Sequence, residues 1–343
     1  MVDGLRKSFS IARQTSMQPF KTMAPPEFAV PPKWNTTACA EFVDLPVGRK
    51  CCNYCLFCYS SSGKDGSFYS LESLVRQLAS ERRRGVRRVH FVGGEPTIHP
   101  QILEILKVSK RLGFESVVVT NGVRFSSPDF CHKTFPFIDE IIFSLHGHDA
   151  ETHGHLTGNT HSFGLMVKAL ENASGKGKPR LCVNTTVTNR NLHSLLPITR
   201  LIRPLGVRKY HCLVIVPLGR GKAEFLDLSP RLNECAAVFP QVAKECWEMG
   251  VQFLVSGLPL CILGPYYLCS LDNGGEYVND RTRSGEVIFE KEPGDPNNFK
   301  IDLNRIKVPK CRECAVEHLC SGIYGQYHAR YGDAELNPFR RPG

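Results

Sequence analysis

The chain has 343 residues, 42% of them hydrophobic, which gives ample material for a buried core and exceeds the common single-domain length of about 100 to 200 residues. Its formal net charge is +10, yet no run approaches the roughly 18 to 20 apolar residues of a membrane span. The opening MVDGLRKSFSIARQTSMQPF has no apolar secretory stretch, which predicts a cytoplasmic location where the 15 cysteines stay reduced and act as metal ligands, catalytic groups or buried hydrophobes.

Residues 1–35 carry Pro25, Pro26, Pro31 and Pro32 without a sustained period and predict an N-terminal arm. A strand is expected at 38–45, a helix in LESLVRQLASERR, a strand at 87–92, a helix in HPQILEILKVSKRLG, and strands at 116–120 and 140–145. HSFGLMVKALENA, a strand at 181–188, LHSLLPITRLIRPLG, a strand at 210–216 and RLNECAAVFPQVAKECWEMG complete the series, with several helices ending at Gly. Strands alternating with helices build a parallel sheet with right-handed crossovers. The expected fold is α/β, a partial (β/α)6 TIM-like barrel over 36–256. After Gly257 the pattern breaks into DNGGEYVND and EPGDPNNFK, so 257–343 is expected to form a small C-terminal domain. The densest basic run, ERRRGVRRVH, reads as a solvated helix end before a strand in preference to a nucleic-acid surface.

Two tight cysteine groups stand apart from scattered singles such as Cys131, Cys182, Cys212, Cys235 and Cys246, which read as buried small hydrophobes. In RKCCNYCLFCYS, Cys51, Cys55 and Cys58 have C-x3-C-x2-C spacing in the loop after the first strand. A 4Fe-4S cube normally takes four thiolates, so three leave one iron open to an outside ligand, whereas structural zinc needs a fourth protein ligand nearby. The following loop offers none at zinc-finger spacing. At the next strand end stands FVGGEPTIHP, two glycines followed by a carboxylate in a tight turn.

C-x3-C-x2-C with Phe57 before the last cysteine, followed by GGEP after the second strand, resembles the signature of the radical S-adenosylmethionine (SAM) superfamily. The resemblance spans about residues 37–336. It implies a 4Fe-4S cluster on Cys51, Cys55 and Cys58, with SAM on its open iron and the SAM ammonium at Gly93, Gly94, Glu95 and Pro96. Further SAM contacts implied are Phe57, Thr120 and Asn121 in VVVTNG, Ser144 in IIFSLHG, Asn184 in LCVNTTVT and Val216 in YHCLVIVPLGRG. The implied reaction is reductive cleavage of SAM to a 5'-deoxyadenosyl radical that removes a substrate hydrogen atom.

The segment KCRECAVEHLCSGIYGQYHARYG holds Cys311, Cys314 and Cys320 at C-x2-C-x5-C spacing, with Cys261, or alternatively Cys269, as fourth ligand. It resembles the SPASM or twitch region appended to many members of the superfamily, which implies a second, auxiliary 4Fe-4S cluster. Tyr324 stands where the full SPASM spacing has another cysteine, which argues for one auxiliary cluster. Structural zinc is the alternative for this site, and His318 and His328 are weak substitute ligands. The expected function is a radical SAM enzyme acting on a small biosynthetic molecule. A maturase of a ribosomally made peptide is the first alternative and a non-enzymatic iron-sulfur or zinc protein on nucleic acid the second. The cyclase that makes the molybdopterin precursor shares the layout, but His90 and the ending RRPG depart from its pattern, so that activity is not assigned. Expected partners are the substrate and an electron donor such as flavodoxin or ferredoxin.

Overall fold

Seven strands form one sheet in chain order: β1 (Phe42–Pro46), β2 (Arg88–Val92), β3 (Glu115–Thr120), β4 (Glu140–Ser144), β5 (Arg180–Val187), β6 (Lys209–Val214) and β7 (Gln252–Ser256). The computed structural model describes residues 42–175, 179–272 and 304–340, so the expected arm and the first part of the expected strand 38–45 lie outside the described residues. Each strand pairs in parallel with the next, and β1 and β7 remain at opposite edges. The sheet is therefore a curled half-barrel rather than a closed one.

The half-barrel has one strand more than the six expected. The added strand is β7 (QFLVS), a five-residue segment whose three middle residues are all buried. The other strands start and end near their expected positions; β2 and β6 alternate half-buried and buried throughout, while β3 and β5 also contain three successive buried residues. On one face Val89, Phe91, Val118, Ile141, Phe143, Val183, Tyr210 and Val255 are fully buried and join one core with the helices.

Helix α1 (Leu71–Arg83) matches its expected span because Ser70 caps it, accepting from Ser73 N at 3.2 Å, and Leu74 and Leu78 recur at a four-residue interval on the sheet side. Then follow α2 (Ile102–Arg111), α3 (Pro128–Thr134), α4 (Ala150–Thr157), α5 (Ser162–Ala173), α6 (Leu195–Ile202), α7 (Arg220–Ala223), α8 (Phe225–Leu228) and α9 (Leu232–Glu248). Beyond β7, a two-stranded antiparallel pair (Arg305–Ile306 with Ile323–Tyr324) precedes α10 (Gly325–Tyr331). Val308, Ile323, Tyr324, Tyr327 and Leu336 of this segment share the barrel's core. Arg305 ties it to the barrel, donating to Gly257 O at 3.4 Å and pairing with Asp272 at 2.7 Å.

The amino ends of the strands carry a ring of charge. The first residues of β2 to β6 are Arg88, Glu115, Glu140, Arg180 and Lys209. Arg88 bridges Glu115 (3.2 Å) and Glu140 (2.8 Å), Arg180 holds both glutamates as well, and Lys209 lies 3.6 Å from Glu140. Part of the basic run 81–90 is thus consumed inside the protein, since Arg84 also pairs with Glu81. Among the described residues no helix is long and apolar enough to cross a membrane.

Candidate active site at the carboxyl ends of the strands

The two motifs found in the sequence meet through their backbones. Gly94 N donates to Gly48 O (2.8 Å) and Glu95 N to Lys50 O (2.9 Å), so the GGEP segment runs along the residues leading into Cys51. A Cβ on Gly93 would strike Gly48 O, and one on Gly94 would strike Lys50 O; Gly93 also has φ +114°. The glycines are needed here for backbone meeting backbone, a closer constraint than the approach to a ligand that the sequence alone implied. From the other side Arg49 N donates to Ser67 O and Cys51 N to Gly63 O, both at 2.8 Å. Tyr54 N reaches Thr157 O (2.8 Å) and Leu56 N reaches Leu156 O (3.0 Å), fastening the loop to the end of α4.

Glu95 is 1% exposed. Its Oε1 accepts from Thr97 N (3.0 Å), Thr97 Oγ1 (2.6 Å) and Thr120 Oγ1 (2.7 Å), and its Oε2 accepts from Asn121 N (2.7 Å). Burial raises its pKa above the ordinary carboxylate value, and these hydrogen bonds only partly offset that rise. A carboxylate has about four lone-pair positions, two on each oxygen, so Oε2 can take a further donor. Among the described residues no Lys, Arg or His forms an ion pair with it.

The cysteine loop lies beside this carboxylate. Asn121 Nδ2 approaches Cys52 Sγ at 3.1 Å and Cys51 Sγ at 4.0 Å, and Asn53 N donates to Cys51 Sγ at 3.4 Å. The Cys51 thiol is held protonated first by its hydrogen bond with Cys52 and then by burial. Burial pushes Cys55 up to about 12, neighbouring Cys58 adds to the rise, and Arg220 opposes it. Buried thiols of this kind shed their protons when a metal takes them, which suits a metal-binding loop. Among the described residues no three His, Cys, Asp or Glu side chains gather as a single ion needs. The loop thus brings three thiols beside a carboxylate that forms no ion pair among the described residues.

The remaining expected residues take several positions. Thr120 and Asn121 are buried and serve Glu95 directly. Pro96 opens a short 3-10 turn that Glu95 caps through its bond to Thr97 N. Ser144 and Asn184 are register partners across β4 and β5, both half-buried. Val216 lies past the end of β6, and its carbonyl accepts from Leu218 N at 2.8 Å. Phe57 turns into the core, its ring edge-on to His146 at 4.6 Å.

The sequence gives no hint of three further neighbours. His146 accepts from Thr186 N, and His153 Nδ1 accepts from His146 N, both at 3.1 Å. Burial lowers both imidazole pKa values, that of His153 to about 4, so the pair stays neutral. Arg220 lies over the Tyr54 ring, 3.7 Å from its centroid.

In the C-terminal segment Cys261, Cys311, Cys314 and Cys320 line one small cavity, and Cys269 does not. Cys320 Sγ accepts from Leu260 N and Gly322 N, each at 3.4 Å. Cys269 lies instead near Cys246. Neither His318 nor His328 lines the cavity. Tyr324, at the position of the missing cysteine, is buried under the Arg305 guanidinium at 4.3 Å.

The family model described as the Radical SAM superfamily matches residues 45–202. A probable GTP 3',8-cyclase of Saccharolobus solfataricus is 32% identical over 181 residues, covering 51% of this chain and 58% of its own length. That of Sulfurisphaera tokodaii is 31% identical over 180 residues, covering 51% and 56%. The chain thus spans less than two thirds of the length of these curated relatives. Streptococcus suis SuiB bound to S-adenosylmethionine superposes with a TM-score of 0.58 at 16% identity, covering 88% of this chain and 76% of SuiB. The FeFe-hydrogenase maturase HydG from Carboxydothermus hydrogenoformans gives 0.51 at 17% identity, covering 70% and 61%. At these identities the structural likeness is one of fold. Residues 45–202, which hold both motifs and strands β2 to β5, match the radical SAM superfamily.

Proposed function

We propose that the chain binds a 4Fe-4S cluster through Cys51, Cys55 and Cys58, cleaves SAM reductively and removes a hydrogen atom from a small-molecule substrate. The observation that carries this reading is Glu95, a buried carboxylate with acceptor capacity left on Oε2 and no cation among the described residues, beside Cys51 and Cys52. An ammonium group satisfies such a carboxylate. When bound, cluster and SAM supply one-electron chemistry that ends in methionine and a 5'-deoxyadenosyl radical.

The chain's own residues do the rest. Glu95 receives the ammonium of SAM, and hydrogen bonds from Thr97, Thr120 and Asn121 orient it and partly offset the effect of burial. Ser144 and Asn184 offer hydrogen bonds to the carboxylate or ribose, and the backbone at Val216 meets the adenine. Phe57 stiffens the loop from behind through its buried ring. Cys261, Cys311, Cys314 and Cys320 hold the auxiliary 4Fe-4S cluster of a 257–343 domain, Cys261 being favoured over Cys269 by the shared cavity. The electron donor is a flavodoxin- or ferredoxin-like protein.

A small-molecule substrate is supported by relatives named for a nucleotide cyclisation. A second reading, modification of a ribosomally made peptide, is supported by SuiB, which has been solved bound to its precursor peptide SuiA. Anaerobic reconstitution tests the proposal. About eight irons per chain and 5'-deoxyadenosine on addition of dithionite and SAM are expected. The triple variant Cys51→Ala, Cys55→Ala, Cys58→Ala should keep about four irons and lose all 5'-deoxyadenosine; unchanged output would overturn the assignment.

A further inference from the structure

The segment after β6 folds back over the cysteine loop, and Arg220 is its point of attachment. Its backbone N–H donates to Cys58 O (2.9 Å), its Nε to Cys55 O (3.0 Å) and one Nη to Ser62 O (2.5 Å), across sequence separations of 165 and 158 residues for the side-chain bonds. The guanidinium also stacks on Tyr54. The flanking glycines permit this approach: a Cβ on Gly219 would strike the carbonyls of Cys58 and Tyr59, and one on Gly221 would lie 3.0 Å from Phe57 O. Arg220 therefore touches both ends of the stretch that holds Cys55 and Cys58.

The chemistry of its partners matters as much as their number. All three hydrogen bonds go to carbonyl oxygens, and among the described residues no carboxylate pairs with Arg220. A full positive charge thus stands against the loop without a counter-ion. A cluster that accepts an electron becomes more negative, and a nearby cation favours the reduced form. The planar fork of arginine can span two carbonyls while stacking on a ring; lysine supplies the charge but not the fork.

We propose that Arg220 is a positioning residue that locks the cysteine loop in its binding geometry and, through its uncompensated charge, raises the electron affinity of the cluster held there. This rests on the reading of Cys51, Cys55 and Cys58 as cluster ligands. Two measurements on full-length protein separate the two: a potentiometric titration of the reconstituted cluster followed by electron paramagnetic resonance, and hydrogen exchange of residues 54–62 in the metal-free chain. In Arg220→Gln the reduced-to-oxidised ratio at a fixed potential should fall about tenfold, equivalent to about 59 mV for a one-electron couple. Arg220→Lys should keep most of the wild-type potential, and both variants should exchange faster over 54–62. A wild-type potential in Arg220→Gln, or wild-type exchange in both variants, overturns the proposal. If Arg220→Gln fails to take up iron, Arg220→Lys decides, since wild-type exchange in that variant refutes the lock. A wild-type chain that binds no cluster at these cysteines refutes the underlying reading instead, while the exchange comparison still decides whether Arg220 holds the loop.

Discussion

Two buried glutamates at opposite ends of the half-barrel are held in opposite ways. Glu140, at the amino end of β4, meets Arg88, Arg180 and Lys209; burial pushes its carboxyl up, but Lys209, Arg88 and Arg180 outweigh that and hold its pKa at about 2. Glu95, at the carboxyl end of β2, has hydrogen-bond donors but no cation among the described residues, and burial leaves its pKa raised. The closed ring of charge at one rim reads as structure. The open valence at the other reads as a place for a ligand, because a buried carboxylate left without a counter-charge costs stability unless something else supplies one.

The largest effect should come from the closed end. Glu140→Gln would leave three cations around an uncharged amide and should lower the unfolding free energy by about 4 kcal/mol in a urea titration, with SAM affinity unchanged. Glu95→Gln should do the reverse: normal iron content, but SAM binding weaker by about a hundredfold, roughly 3 kcal/mol, in calorimetry of the reconstituted protein. Should both variants lose stability alone, the contrast between the rims is wrong.

Acid sharpens it further. Glu140 contributes stability that is complete above its ordinary carboxylate pKa of about 4.3 and is lost as pH falls towards its folded value of about 2; that loss should flatten in Glu140→Gln. Glu95 has the opposite sign, so its protonation relieves the folded metal-free chain, while SAM affinity drops as pH falls through its raised pKa. Equilibrium unfolding and SAM binding followed over the same pH series would show the two trends. The smallest effect concerns a site remote from both: Cys261→Ser should lower reconstituted iron by about four atoms and Cys269→Ser by none. Loss of zinc in place of iron would make that site structural.

What could be read from the sequence follows the range of the interactions involved. Helix α1 was legible residue for residue because its cap and its apolar spacing are local. The cysteine and GGEP motifs were legible because their chemistry is written in contiguous residues. β7 was not: a five-residue segment between Gly250 and Gly257, it is defined by its pairing with β6. The reason for Gly93 and Gly94 was also hidden, because it lies in carbonyls of another segment. Arg220 is the extreme case: its side chain bonds to backbone oxygens far away in sequence, and carbonyl partners leave no complementary residue type to notice.

The ladder that joins residues 48–50 to the GGEP segment, and residues 49–51 to 63–67, uses only main-chain groups. None of those bonds involves a thiol. On the proposed function, the loop's path rests on main-chain bonds that need no thiol, unlike a zinc finger, whose folding and loading are one event. Under that proposal, folding of the chain and loading of a cluster are separate events.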